Sequence, residues 1–356
     1  MDTIQSMQWL KAKNLYELAE KTSFYLKKIF NPCFGVTDEK ILIMGDKGFS
    51  NNRIAPILSG AYYLAAKSLN IDTKLVLQDV KARGNIADNE VVESLSNLEE
   101  NNVVFVNMSD KLGSLKEIGK SFRKFCEKKK HRFVSALSLG DLSTEKLNNV
   151  IEAVDVEYKP MQAKHQEVKA ILDQAKEIRI KTKAGTDLYY NVEGMKATAA
   201  DGTYNEPGKG GNLPAGEVYV PCSGKKVNGK VVIDGSSRNH KHTTLIKKPI
   251  TLKISEGSIV AIEGGEEAKK LENTLKWAAG RSKHPKRVYR IGELGIGLNP
   301  KARVIGSTLI DEKSLGTAHI GIGSNYWFGG NVYAIIHLDQ IFRNPEIKVD
   351  GKKLEI

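Results

Sequence analysis

Through the first 30 residues apolar side chains recur at helical spacing (Leu10, Leu15, Leu18, Ala19, Phe24, Tyr25). The grammar then changes. Ile41-Leu-Ile-Met44, Lys74-Leu-Val-Leu77, Val103-Val-Phe-Val106 and Phe133-Val-Ser-Ala136 read as buried strands, with amphipathic helices expected over 53–69, 91–98, 114–127 and 144–154. Short apolar runs separated by helices predict a mostly parallel sheet covered on both faces, an α/β sandwich domain over residues 1–165. After Pro160 a helical stretch (Met161, His165, Val168, Leu172, Ala175) leads out of it. From Glu177 the alternation has period two, over 177–182, 187–192, 217–220 and 250–255, with one helix near 266–279. Residues 166–356 therefore predict a β-rich α+β domain, and no internal repeat is evident.

Composition agrees with this division. At roughly 150 residues per domain, 356 residues make about two domains. Hydrophobic residues at 40% and charged residues at 27% exclude wholesale disorder and fibrous repeats. Cys33, Cys126 and Cys222 are far apart and show no C-x-x-C spacing, so they read as core thiols in a reducing compartment. No run of about 18 apolar residues occurs, and the opening residues lack the basic head and apolar block of a signal peptide; a cytoplasmic protein without membrane contact is expected. The net charge of +12 comes from scattered lysines, the densest run being the brief 127–131, so a solvated basic surface is expected rather than a nucleic-acid partner.

Two glycine motifs invite a phosphate-binding reading and fail it. Gly45-Asp-Lys-Gly48 follows a strand but is not G-x-G-x-x-G, and reads as a strand-to-helix turn. Gly224-Lys-Lys-Val-Asn-Gly229-Lys230 is followed by Val231 where a P-loop needs Ser or Thr; a hairpin turning at Asn228-Gly229 is the expectation there. The usual hydrolase signatures, G-x-S-x-G, S-x-x-K with K-T-G, and H-E-x-x-H, are missing from the sequence.

The informative chemistry lies near the C-terminus. His337 and Asp339, in Ile335-Ile-His-Leu-Asp339, are two apart on an expected strand and so share a face, about 7 Å apart along the backbone. His319 stands in a Gly-rich apolar run, Gly316-Thr-Ala-His-Ile-Gly-Ile-Gly323, that shows no structural need for an imidazole. Glu293, in Ile291-Gly-Glu-Leu-Gly-Ile-Gly297, and Glu217, on Glu217-Val-Tyr-Val220, add carboxylates to apolar strands, where an unpaired charge is costly. Two imidazoles and three carboxylates suit divalent metal ions with a position left for water. The remaining histidines, His131, His165, His240, His242 and His284, lie in polar surroundings and read as surface residues. Glu312, beside Asp311 and just before His319, is an additional acidic candidate, with an ordinary turn carboxylate the favoured reading.

In the order Glu, Glu, His, His-x-Asp, the second half resembles the aminopeptidase T family of dinuclear metalloaminopeptidases. That resemblance implies Glu217, Glu293, His319, His337 and Asp339 as ligands of two divalent ions (zinc, cobalt or manganese). It also implies Glu293 as general base, Tyr326 as the donor that steadies an oxyanion, a peptide substrate and a homodimer. The chain departs from the family in its length, in the compact stretch between His319 and His337, and in Gly295-Ile-Gly-Leu-Asn-Pro300 after Glu293. In these respects it is similar to a divergent branch that includes 2,5-dihydroxypyridine dioxygenases, which use one iron. There His319, His337 and Asp339 would form a facial triad, with Glu217 and Glu293 orienting the imidazoles. A non-enzymatic binding module with degenerate ligands is the third reading.

Overall fold

The computed structural model describes residues 1–119, 121–222 and 226–356. The chain forms two compact units, Met1–Lys159 with Gly202–Ala215, and Pro160–Asp201 with Gly216–Ile356.

In the first unit β1 (Ile41–Asp46), β2 (Thr73–Gln78), β3 (Val103–Asn107), β4 (Arg132–Ala136) and β8 (Gly210–Asn212) form a parallel sheet in the order β2-β1-β3-β4-β8. The strands read as continuous apolar runs because both faces are covered. On one face Leu42, Met44, Val104 and Val106 pack with Val91 and Leu95 of α4 (Asn89–Ser96) and with Phe125 and Cys126 of α5 (Phe122–Lys128). On the other, Phe105 meets Phe30, Phe34 and Tyr62, the last from α3 (Ile54–Ser68). Helices α1 (Thr3–Ala12), α2 (Tyr16–Leu26) and α6 (Leu147–Val154) complete the unit. The strand order reverses between β1 and β3, the place where open α/β sheets bind ligands. Here that crevice is closed from within: the buried Asp46 carboxylate accepts the Ser109 amide (2.7 Å) and hydroxyl (2.6 Å) and the Gly48 amide (3.0 Å).

The second unit begins with α7 (Tyr158–Gln174), from Pro160 onward, and carries two antiparallel seven-stranded sheets. One has the order β14-β13-β10-β6-β5-β18-β19, from β5 (Glu177–Lys181), β6 (Asp187–Asn191), β10 (Val227–Ile233), β13 (Ile250–Ser255), β14 (Ser258–Glu263), β18 (Glu346–Val349) and β19 (Lys352–Lys353). The other runs β12-β11-β17-β16-β15-β9-β7, from β7 (Thr198–Ala200), β9 (Glu217–Pro221), β11 (Ser236–Arg238), β12 (Thr243–Leu245), β15 (Ile291–Gly297), β16 (Thr317–Gly323) and β17 (His337–Arg343). Ile178, Leu188, Val231 and Leu252 of the first share one apolar core with Val218, Val220, Leu294, Ile296, Ile320, Ile322 and Phe342 of the second. Leu271 and Leu275 of α8 (Glu266–Ala279) join it.

Three expectations are corrected. Asn228 and Gly229 do not turn: β10 runs through them, paired with β6 on one side and β13 on the other, and the missing Cβ of Gly229 lets the strand pass the Asp187 carbonyl. Gly224 and Lys225 of that motif lie outside the described residues. The helix expected over 114–127 begins only at Phe122, capped by the Ser121 hydroxyl; Gly119, at φ 145°, breaks it before that point. His131 and His165 are buried, not superficial, with Nδ1 engaged by the Asn102 amide and the Met161 carbonyl respectively. The three cysteines are buried and in no disulfide, as core thiols should be.

Ile320, fully buried on β16, tests the sheet's core face. Ile320→Ala should lower unfolding free energy in denaturant titrations by about 2–5 kcal/mol.

Candidate metal centre

Alternation along four adjacent strands separates core from chemistry. Residues 218, 220, 294, 296, 318, 320, 322, 338 and 342 point into the apolar core, so their odd-numbered neighbours Glu217, Glu293, His319, His337 and Asp339 share the opposite face. Register then gathers them. Glu217 is opposite Gly297, Glu293 opposite Gly321, His319 opposite Gly295, His337 opposite Gly323, and Asp339 opposite Gly321. Every one of the five faces a glycine. Residues directly opposite on antiparallel strands have Cβ atoms only about 4.5–5.5 Å apart, so two side chains would collide where one must lie across its neighbour. A Cβ on Gly295 would stand 2.2 Å from His319 Nε2, and one on Gly321 would stand 2.8 Å from both Glu293 Cβ and His337 Cε1. Gly295 and Gly321 are thus the floor of the site.

Glu293 lies at the centre. One of its carboxylate oxygens is 3.2 Å from His319 Nε2 and the other 3.3 Å from His337 Nε2. His337 Nε2 is also 3.1 Å from Asp339 Oδ1, and His319 Nε2 is 3.6 Å from Glu217. His337 donates from Nδ1 to the Ser324 carbonyl at 2.7 Å, which turns Nε2 toward the carboxylates, the orientation a ligating imidazole takes. Ligand atoms converge within 4.8 Å in three sets: Glu217, Glu293 and His319; Glu293, His337 and Asp339; Glu312, His319 and Asp339. Asp339 is buried with Oδ1 facing His337 Nε2, so an ion placed between them would meet both an oxygen and a nitrogen ligand. The donor set, imidazole nitrogen with carboxylate oxygen, fits a divalent transition metal.

Burial depresses the basicity of His319, but the hydrogen bond to Glu293 and the charges of Glu217 and Asp339 outweigh it and push the imidazole up to about 9. His337 is opposed by burial in the same way and lifted by Asp339 and Glu293 to about 10. Burial raises Glu293, partly offset by both imidazoles; Asp339, despite burial, is held far below the usual carboxylate range by His337. Without a metal, protons on the imidazoles neutralise the carboxylates. A metal ion takes over by displacing them.

Lys313 escaped the sequence reading, and Glu312 entered it only as an additional acidic candidate. Glu312 is no turn carboxylate: it is largely buried, and burial together with Glu217 pushes it up to about 8. Lys313, fully buried, sets its ammonium 3.1 Å from Glu217 and in contact with Glu312, so a lysine enters a site that sequence gave only acids and imidazoles. Burial should lower this amine, yet Glu217 and Glu312 raise it. Both residues follow the short helix α9 (Thr308–Asp311), fixed by Asp311, whose carboxylate accepts the Ile305 and Gly306 amides. The run Asp311-Glu-Lys313 directly before an apolar strand was the available signal.

Tyr326 is not placed as an oxyanion donor. It is 66% exposed and its ring meets Tyr333 edge-on at 6.0 Å. The next two residues do reach the cluster: Trp327 and Phe328 pack edge-on against the His337 ring, at 5.1 and 6.0 Å. Buried Asn325 holds this turn, donating to the Gly292 carbonyl and accepting the Val332 amide, each at 2.7 Å.

Comparison with known proteins now bears on this geometry. The profile of the family described as 2,5-dihydroxypyridine 5,6-dioxygenase matches residues 149–355, a stretch that contains the whole cluster. The chain belongs to this family. It is 28% identical over 191 residues to the 2,5-dihydroxypyridine 5,6-dioxygenase of Pseudomonas putida, covering 51% of this chain and 53% of that protein. The chain thus spans about half the length of the curated relative it matches. Its fold is similar to the solved structure of the 2,5-dihydroxypyridine dioxygenase of Pseudomonas putida KT2440, with TM-score 0.71 and 19% identity over 95% of this chain and 96% of that one. It is also similar to the AmpT of Thermus thermophilus, with TM-score 0.59 and 15% identity over 97% of each chain. The dioxygenase-family match places the chain on the divergent branch, and the likeness to AmpT is one of fold. Among the described residues no helix is long and apolar enough to cross a membrane.

Two outcomes test the centre. Gly295→Ala should displace His319 and weaken binding of a divalent ion about 10- to 100-fold in titrations of metal-free protein. Calorimetry in buffers of different ionisation enthalpy should show protons released on binding at pH 7, since both imidazoles are protonated there without metal; affinity should therefore rise with pH across the neutral range.

Proposed function

We propose that this protein is a metal-dependent ring-cleaving dioxygenase acting on a dihydroxylated pyridine or a closely similar aromatic ring. The match of residues 149–355 to the dioxygenase family, with the imidazole and carboxylate cluster inside it, carries this reading. Glu293, His337 and Asp339, whose ligand atoms converge, are the residues that would hold the ion, with His319 on the other oxygen of Glu293. When bound, a single iron(II) would supply the one-electron chemistry that dioxygen requires to react with a closed-shell ring.

In the reaction, both atoms of dioxygen enter the ring across carbons 5 and 6. Breaking that bond leaves a carboxylic acid at carbon 5 and an N-formyl group at carbon 6, so atoms balance without a further reductant. The chain's own residues have three tasks. Glu293 accepts the proton of the ring hydroxyl that ionises on binding, on the oxygen 3.2 Å from His319 Nε2, and that imidazole gives the proton an onward path. Lys313 balances the negative charge gathered around Glu217 and Glu312. Trp327, 56% exposed beside His337, offers an aromatic face at the edge of the cluster on which a planar substrate can stack.

A dinuclear aminopeptidase centre is the second reading. The observation favouring it is Glu293, which turns one oxygen to each histidine as a carboxylate shared by two ions would.

Oxygen-electrode assays with iron(II)-loaded protein and 2,5-dihydroxypyridine separate the two. One dioxygen consumed per ring lost, with no release of arylamine from amino-acid arylamides, is expected. Arylamide hydrolysis by zinc-, cobalt- or manganese-loaded protein without oxygen uptake would replace the dioxygenase reading with the peptidase one. Trp327→Ala should raise the KM for the ring about 2- to 10-fold, in line with the worth of one aromatic stack, with kcat little changed.

A further inference from the structure

We propose that Lys313 is a built-in cation that keeps this centre mononuclear. Its ammonium satisfies Glu217, which with Glu293 and His319 would otherwise gather a second divalent ion. The inference rests on the reading of the cluster as a metal centre. The cluster offers two sets of ligands that share Glu293: Glu293, His337 and Asp339, and Glu217, Glu293 and His319. Charge distinguishes them. In the first set the buried Asp339 Oδ1 faces His337 Nε2 at 3.1 Å, and that imidazole is itself a ligand of the set. In the second, Glu217 already has a cation 3.1 Å away in Lys313, and the same ammonium contacts Glu312 on its other side.

Lys313 has no exposed surface, so its charge cannot move into solvent when an ion arrives. Nor is it free to swing away: the segment that carries it is pinned on both sides, by Asn299, whose amide donates to the Lys313 carbonyl at 2.8 Å, and by Asp311 on the backbone of Ile305 and Gly306. A divalent ion at the second set would have to share Glu217 with a fixed positive charge in a dry environment, where like charges at a few ångströms repel strongly. In the first set the group against the carboxylates is an imidazole that can itself ligate, and that is where one ion binds. Lys313 thus fixes how many ions the shared sheet face accepts, and it does so by charge and not by removing a ligand.

Manganese(II) is the probe, since it reports both number and proximity of ions. Metal-free wild type, Lys313→Gln and Lys313→Arg are titrated and examined by electron paramagnetic resonance, with thermal melts to establish folding. Wild type and Lys313→Arg should bind one equivalent with an isolated-ion spectrum. Lys313→Gln should bind a second equivalent and show a spin-coupled pair. Glu217→Gln covers the case in which Lys313→Gln does not fold: it should leave the single equivalent of wild type in place, because Glu217 pairs with the lysine. Two equivalents in wild type, one equivalent in folded Lys313→Gln, or loss of the ion in Glu217→Gln would each overturn the role given to Lys313 while leaving the metal centre standing. No binding by wild type would overturn the metal centre itself.

Discussion

One steric constraint underlies the site: across an antiparallel pair, a side chain that lies over its neighbour needs that neighbour to have none. Glu217, Glu293, His319, His337 and Asp339 each stand opposite a glycine, on strands whose other faces are packed in the apolar core. The core fixes the register, since a slip of one residue would send Leu294 and Ile320 to the site and Glu293 and His319 into the core. Register in turn sets which glycine faces which ligand. Packing on one side of the sheet therefore positions the chemistry on the other.

The second constraint is electrostatic. Four carboxylates, from Glu217, Glu293, Glu312 and Asp339, come together with little solvent, and a buried carboxylate is tolerated only when paired or ligating. Three kinds of positive charge are within reach: the Lys313 ammonium, imidazolium protons and a metal ion. Only the lysine is covalently fixed. Protons and metal compete for His319 and His337, so metal affinity and proton affinity at this site are two readings of one charge requirement.

This balance between fixed and exchangeable charge also explains what sequence could reveal. His337 and Asp339 were legible because period-two spacing and an apolar setting put both on one strand face, and Glu293 and His319 because a lone polar residue in an otherwise apolar Gly-rich strand has few structural excuses. The parallel sheet of the first unit was legible for a similar reason: β1 to β4 are short apolar runs without alternation. Lys313 was not, and Glu312 only as one more acidic candidate, because both sit on a loop, where no periodicity says which way a side chain points. Charge scattered through a lysine-rich sequence likewise conceals a lysine that turns inward. Asn228-Gly229 misled because the dipeptide's preference for a turn is local, while pairing of β10 on both edges is not. His131 and His165 misled because polar neighbours in sequence are not neighbours in space.

A ligand set built on strands has little room to drift, since moving one residue disturbs a register shared by several strands and the core beneath them. Loops carry no such debt. Residues 299–314 bring Glu312 and Lys313 to the cluster, and residues 324–336 bring Trp327 and Phe328 against His337. The first loop changes the charge that the ligands feel, and so the ions they accept; the second changes the shape and aromaticity of the approach, and so the substrates that fit. Because the two loops act on different physical quantities, each can vary without rebuilding the other or the sheet. The sheet thus fixes the ligands, while the charge beside them and the aromatic edge of the approach are set at Lys313 and Trp327, where the fold imposes least.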